Sequence, residues 1–215
     1  MLFLRHSPLH ERINDYGRNQ VSTKVVRASD YRRMRWKNGG GWTTELAVWP
    51  DPPGSRFDWR ISIAEIASDG PFSTFPEYDR QIALLDGIGM ELRFEDAETV
   101  RLEQRLRFLH FAGERNVFGR LLSGPVRDFN VIARRDAIGV EVLHRPLVGP
   151  MVFLPESATT WFVHVVSGQA ALKDADGLML EAGDSLLLEP DHARRNRVLS
   201  GGGELVLVKL TRLVA

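Results

Sequence analysis

The chain has no cysteine among its 215 residues. That excludes disulfides, thiolate zinc sites and cysteine nucleophiles together. Long apolar runs are also missing, and nothing approaches the roughly 20 residues that a membrane-spanning helix needs. The opening MLFLRHSPLHERINDYGRNQ has only the run Leu2–Leu4 before Arg5, too short for the core of a secretory leader. A cytoplasmic protein with no membrane partner is therefore expected, and residues 1–20 read as a polar N-terminal extension. Nor is there an excess of one charge, since 28 lysines and arginines balance 28 aspartates and glutamates. The basic field that nucleic acid would require is absent.

Catalytic and metal signatures are equally scarce. The histidines, His6, His10, His110, His144, His164 and His192, form neither H-x-H nor H-E-x-x-H. His192, in GDSLLLEPDHARRN, resembles part of a second cupin metal motif. The place of the first motif holds only His164, between Phe162 and Val166 on a strand, where a core or wall position is expected. Neither a G-x-S-x-G elbow nor a phosphate loop is present. No metal and no cofactor are expected.

What recurs is short apolar or alternating runs every 8 to 12 residues, bounded by glycine, proline and aspartate, the pattern of an all-β sandwich or barrel. WTTELAVW, FDWRISIAEI, RQIALLDGIGMELRF, FNVIARR, TTWFVHVVSG and ELVLVKL all follow it. Short helices are expected at Ser29–Arg35 and as a turn near Asp69–Phe75. QIALLDG at 81–87 and FVHVVSG at 162–168 share a spacing. They read either as two copies of one β module or as chance likeness between hairpins.

The register of the first hairpin carries more. Leu46 and Val48 share a face of one strand, and Phe57, Trp59, Ile61 and Ile63 share a face of the next. Pairing apolar with apolar fixes the parity, because a one-residue slip turns every side chain over. Leu46 is then expected opposite Trp59 and Val48 opposite Phe57, which sets Thr43 against Ser62 and Glu45 against Arg60. The Glu45–Arg60 pair is either a solvent-facing ion pair of small worth or part of an inner wall where an arginine fork holds a carboxylate. Ahead of this strand stands WKNGGG. Its glycine amides suit an anion nest beside Lys37 and Asn38, or a bulge or tight strand entry. Asp128 and Asn130 in VRDFNVI share a face, as another polar wall or as exposed surface.

RWKNGGGWTTELAVWP, FDWRISIAEIASDGPFSTFPEYDRQIALLDGIGMEL and GPVRDFNVIARR together resemble the HutD/Ves family, over about Val21 to Leu210. The resemblance implies an all-β bicupin, two cupin-like antiparallel barrels of jelly-roll type with a few short helices, lacking the usual cupin metal ligands. The expected division is a barrel over 21–122 and another over 123–215, packed as one unit. The HutD branch is linked to histidine utilisation and regarded as a governor that binds an intermediate such as a formylated amino acid or urocanate. The Ves branch is linked to cold and stress response. The expected partner is thus a small anionic metabolite in the N-terminal barrel, with a homodimer as a candidate assembly.

Arg60 and Lys37 are expected on its carboxylate, Asn38 with Gly39 and Gly40 on a second polar group, and Glu45 orienting Arg60. Thr43, Ser62, Asp128 and Asn130 complete the expected ligand-binding set. The rivals are a metal-independent isomerase or hydrolase with Glu45 as general base, and a protein-interaction module. Where the family usually has glycine before the tyrosine of its F-P-G segment, this chain has Glu77.

Overall fold

The computed structural model describes residues 23–50, 56–173, 178–190 and 195–213. The N-terminal extension, His6, His10 and His192 lie outside the described residues. The strands begin with β1 (Thr23–Val26), β2 (Arg32–Arg35), β3 (Gly41–Trp49), β4 (Trp59–Ile66), β5 (Gly70–Pro71), β6 (Tyr78–Asp86), β7 (Met90–Phe94) and β8 (Thr99–Leu102). They continue with β9 (Leu109–Ala112), β10 (Val117–Leu121), β11 (Val126–Arg134), β12 (Ile138–Phe153), β13 (Thr159–Leu172), β14 (Met179–Glu181), β15 (Ser185–Leu188) and β16 (Arg197–Arg212). One 3₁₀ turn, Ala28–Asp30, precedes β2. The helix expected at Ser29–Arg35 is replaced by that turn and a strand, because Arg32–Arg35 pairs along Trp42–Glu45. Tertiary pairing outweighs a local helical preference there. Of the expected turn near Asp69–Phe75, Gly70–Pro71 pairs with β10 as a short strand.

Three antiparallel sheets result. The first runs β2-β3-β4-β11-β6-β9, the second β5-β10-β7-β8, and the third β1-β15-β13-β16-β12 with β14 on β13. Each path is open at both ends among the described residues, so the all-β, antiparallel expectation is met by layered sheets rather than by two closed barrels.

Alternation along each strand assigns the layers. On β4, Trp59, Ile61 and Ile63 enter a central core with Phe129 and Val131 of β11 and with Phe162, Val206 and Val208 of the third sheet. Ala64 and Ile66 turn the other way, into a core shared with Leu92, Phe94 and Val117 of the second sheet. The first sheet is therefore covered on both faces.

The third sheet encloses an aliphatic core of its own, to which both ends of its long strands contribute, among them Leu147, Val163, Leu172, Leu186, Leu199 and Leu207. It turns at a bulge after Val165. Gly168 (φ +81°) and Gly203 (φ +137°) approach there so closely that a Cβ on either would meet opposing backbone at 2.0 Å. Only glycine fits such a crossing.

The repeated segments occupy matching places. Ile82 and Leu84 of β6 face the core of the first two sheets, as Val163 and Val165 of β13 face that of the third. Each segment ends at a left-handed glycine, Gly87 or Gly168. Two strands cross the expected division after residue 122. β11 sits in the middle of the first sheet, and β1 forms an edge of the third.

Candidate functional site

β11 is held between β4 and β6, and its inward side chains define a polar wall. Ile132 stands between Arg60 and Arg80, Asn130 between Ser62 and Ile82, and Asp128 between Ala64 and Leu84. β3 extends the rows with Glu45 beside Ser62 and Thr43 beside Ala64. This wall looks into the core between the first and second sheets, so Asp128 (0% exposed), Asn130 (2%), Ser62 (3%) and Arg80 (7%) are polar groups inside the protein. Of the two readings open for the Asp128–Asn130 face, exposed surface is ruled out by this burial.

Arg80 is fixed from two sides. Its Nε and Nη2 both donate to Asn130 Oδ1, at 2.9 and 2.5 Å, and its guanidinium lies 4.7 Å from the Phe72 ring centre and 5.7 Å from that of Phe111. Asn130 in turn donates to Asp128 Oδ1. Burial pushes the Arg80 guanidinium down to about 10, with Asp128 opposing and Arg60 adding to the shift. Burial pushes the Asp128 carboxyl up to about 7, against Arg80, Asn130 and the Ala64 backbone.

Arg60 lies 5.3 Å from the ring centres of both Phe57 and Phe75. Burial lowers its pKa and the charge of Glu45 raises it. Two buried atoms of this wall have no hydrogen-bond partner, Arg60 Nε and Asp128 Oδ2. Each such orphan costs about 1–3 kcal/mol, and both face one interior.

The hairpin register differs from expectation. Glu45 pairs with Ser62 and Thr43 with Ala64, and a bulge between Glu45 and Ala47 then sets Val48 against Arg60 and Trp49 against Trp59. The expected Glu45–Arg60, Thr43–Ser62, Leu46–Trp59 and Val48–Phe57 pairs do not form. The expected parity holds before the bulge, so Thr43, Glu45 and Ser62 do share a face. Glu45 acts on Arg60 through its field, and its carboxylate lies 3.9 Å from Arg32. The bulge keeps Leu46 in the central core with Ala47 packed against it.

WKNGGG is the turn between β2 and β3. Trp36 N–H donates to the Gly41 carbonyl and Gly39 N–H to that of Trp36, each at 3.0 Å, while Gly40 N–H goes to Asn38 Oδ1 at 3.0 Å. A Cβ on Gly41 would meet the Glu65 carbonyl at 2.3 Å and the Trp36 ring at 3.1 Å. Of the two sequence readings, the tight strand entry is the one formed. Thr43 Oγ1 accepts the Trp36 indole N–H at 2.8 Å.

Lys37, Asn38 and Gly39 are exposed and stand by the Gly41–Ile66 pair, whereas Arg60 pairs with Val48. Seven residues of strand, roughly 20 Å, separate the two places. Lys37 and Arg60 are therefore not brought together on one carboxylate. Glu77, where glycine was expected, adopts φ +74°, the left-handed region that favours glycine. It follows Phe75 and precedes Tyr78, whose rings cluster with Phe57.

The residue that sequence reasoning left out of the site is Arg80. Its signal was parity, for it alternates with Ile82 and Leu84 and so must point inward with them. Phe75 and Phe72 are faces against which Arg60 and Arg80 lie.

The match to known proteins settles the family. Residues 28–207 match the model of the HutD family. The chain belongs to the HutD/Ves family. It is 34% identical to Protein Ves of Cronobacter sakazakii over 179 residues, covering 83% of this chain and 93% of that protein. An uncharacterized 21.2 kDa protein from the hutC 3′ region of Pseudomonas putida is 44% identical over 109 residues, 51% of this chain, and the match spans only 57% of that relative. The solved HutD of Pseudomonas fluorescens SBW25 superposes with a TM-score of 0.76 at 33% identity, covering 90% of this chain and all of that one. An Escherichia coli pirin at 11% identity and TM-score 0.66 shares the cupin-like fold alone.

Proposed function

We propose that this HutD/Ves-family chain binds a small carboxylate-bearing metabolite inside its N-terminal sandwich, as a regulatory binding protein rather than through turnover. The observation that carries the reading is Arg60 Nε, a buried charged donor with no acceptor, set in a wall that also holds Arg80. A charge-assisted bond from an incoming carboxylate satisfies that donor, and two phenyl rings beside the guanidinium keep it desolvated. Asp128 opposes such a charge less than an ordinary carboxylate would, since burial raises its carboxyl to about 7. The solved HutD relative is described for a formate condition, and formate is the smallest ligand of this class. Formylated amino acids and urocanate are the larger candidates.

The proposed contacts are Arg60, Glu45, Ser62, Asp128, Asn130 and Arg80. Lys37, Asn38, Gly39 and Gly40 are left out because they stand at the far end of β3. The test is thermal unfolding with N-formylglutamate or urocanate. Both the native β-sheet circular dichroism and the untreated melting curve should survive Arg60→Ala, while the ligand-induced rise in Tm should vanish. An equal rise in the variant removes Arg60 from the site.

A further inference from the structure

We propose that this site takes up its anion together with one proton, and that Asp128 is where the proton resides. The proposal rests on the binding reading above and adds a linkage to it.

The Asp128 carboxyl is satisfied at one of its two oxygens. Oδ1 accepts from Asn130, whereas Oδ2 has no partner. Arg80 is the nearest source of positive charge, but its Nε and Nη2 bonds both end on Asn130 Oδ1. The cation therefore reaches Asp128 through an amide. Of the charged groups, Arg80 from β6 acts most directly on the carboxyl. Ser62 and Arg60 of β4 and Glu45 of β3 stand further along the same face, and the facing sheet contributes Met90, Leu92 and Val117 to the same core. An ionised carboxylate with a bare oxygen in such surroundings is costly. The neutral acid is not, and it gains an O–H to donate.

An anion bound at Arg60 changes the balance in one direction. A second negative charge in the same core disfavours ionised Asp128 by like-charge repulsion. The proton comes from solvent, no bond of the ligand is broken, and the O–H on Oδ2 becomes a donor facing the occupied interior. The neutral and ionised forms of free Asp128 are balanced near pH 7, so the linkage operates around neutrality.

The test is calorimetric titration of the full chain with sodium formate and with N-formylglutamate, in two buffers of different ionisation enthalpy. At pH 8 a net uptake of protons should accompany anion binding, and at pH 6 that uptake should approach zero. Between those values affinity should weaken by up to about tenfold per pH unit as the pH rises. Asp128→Asn removes the titrating acid, so the binding heats of the variant should be independent of buffer and its affinity, whatever its size, should not vary with pH. Should that variant fail to fold, the two-buffer comparison on the wild-type chain still decides. Binding with buffer-independent heats at pH 8 overturns the linkage and leaves the binding reading standing. No binding of either anion at any pH overturns both.

Discussion

Gly41 shows how one hydrogen in place of a side chain shapes this molecule. The Glu65 carbonyl and the Trp36 ring both occupy the space that a Cβ would need, and neither is the free end of a flexible chain. Trp36 is in turn tied to Thr43, so the turn, the ring and the start of β3 are fixed together. Gly41→Ala must displace strand backbone, and a loss of about 2 kcal/mol or more is expected in denaturant unfolding. Gly39→Ala would meet no close backbone, but φ +74° there makes any side chain costly for a different reason. The triple glycine is thus a packing and turn requirement, and the amides of Gly39 and Gly40 are spent within the turn.

At the scale of elements, sequence alternation located most strands and told which side chains share a face. That was enough to put Glu45 and Ser62 on one face of the hairpin and Asp128 with Asn130 on one face of β11, because a period of two survives any shift of register by two. It was not enough to find the bulge at Leu46, since a bulge depends on what packs behind the strand rather than on the strand itself. For the same reason parity alone gives the side of β6 on which Arg80 lies, and its burial follows from β9 and β11 on either side of that strand. The glycine turn was ambiguous because its reason, the Glu65 carbonyl, comes from a different strand.

β1 makes the element-scale case for a single residue acting as a clasp. Asp184 (7% exposed) accepts from Arg27 at 2.7 Å, from the Ala28 amide at 2.9 Å and from the Glu181 amide at 3.1 Å. Two of the three bonds tie the N-terminal strap to the third sheet. Asp184→Ala removes the shared acceptor of three part-buried hydrogen bonds, and a loss of about 1–2 kcal/mol is expected in denaturant unfolding. In hydrogen exchange the Thr23–Val26 amides should lose protection well before those of β13 or β16.

Across the whole molecule, two buried groups pull acid stability in opposite directions. His164 packs on Phe129 at 5.7 Å and shares a 2.9 Å hydrogen bond with Ser185. Its pKa falls to about 4, through burial first and the charge of Arg127 second. The unfolded chain therefore binds a proton here below about pH 6.5 that the folded chain refuses. Stability is lost as pH falls from about 6.5 to 4. Asp128, with its carboxyl near 7, behaves oppositely, for the folded chain holds a proton that the unfolded chain releases until about pH 4. Stability is gained over the same descent. Between pH 6.5 and 4.5 the two slopes should largely cancel in wild type. Urea midpoints of Asp128→Asn should fall with acid in that window, and those of His164→Phe should rise. Parallel curves for both variants would show that neither group is buried as described.

The strands that cross between the halves also set a clock. β1 waits for Ser185–Leu188, its partners in the third sheet, and at about 5–20 residues per second of synthesis that wait is roughly 8–30 s. The wall of the candidate site is delayed too, because β4 and β6 stay apart until Val126–Arg134 arrives between them. During that interval both faces of β4 are bare, including Trp59, Ile61 and Ile63. The nascent chain thus passes through a stage that invites chaperone contact or aggregation, and it acquires its anion site only after more than half of it has been made.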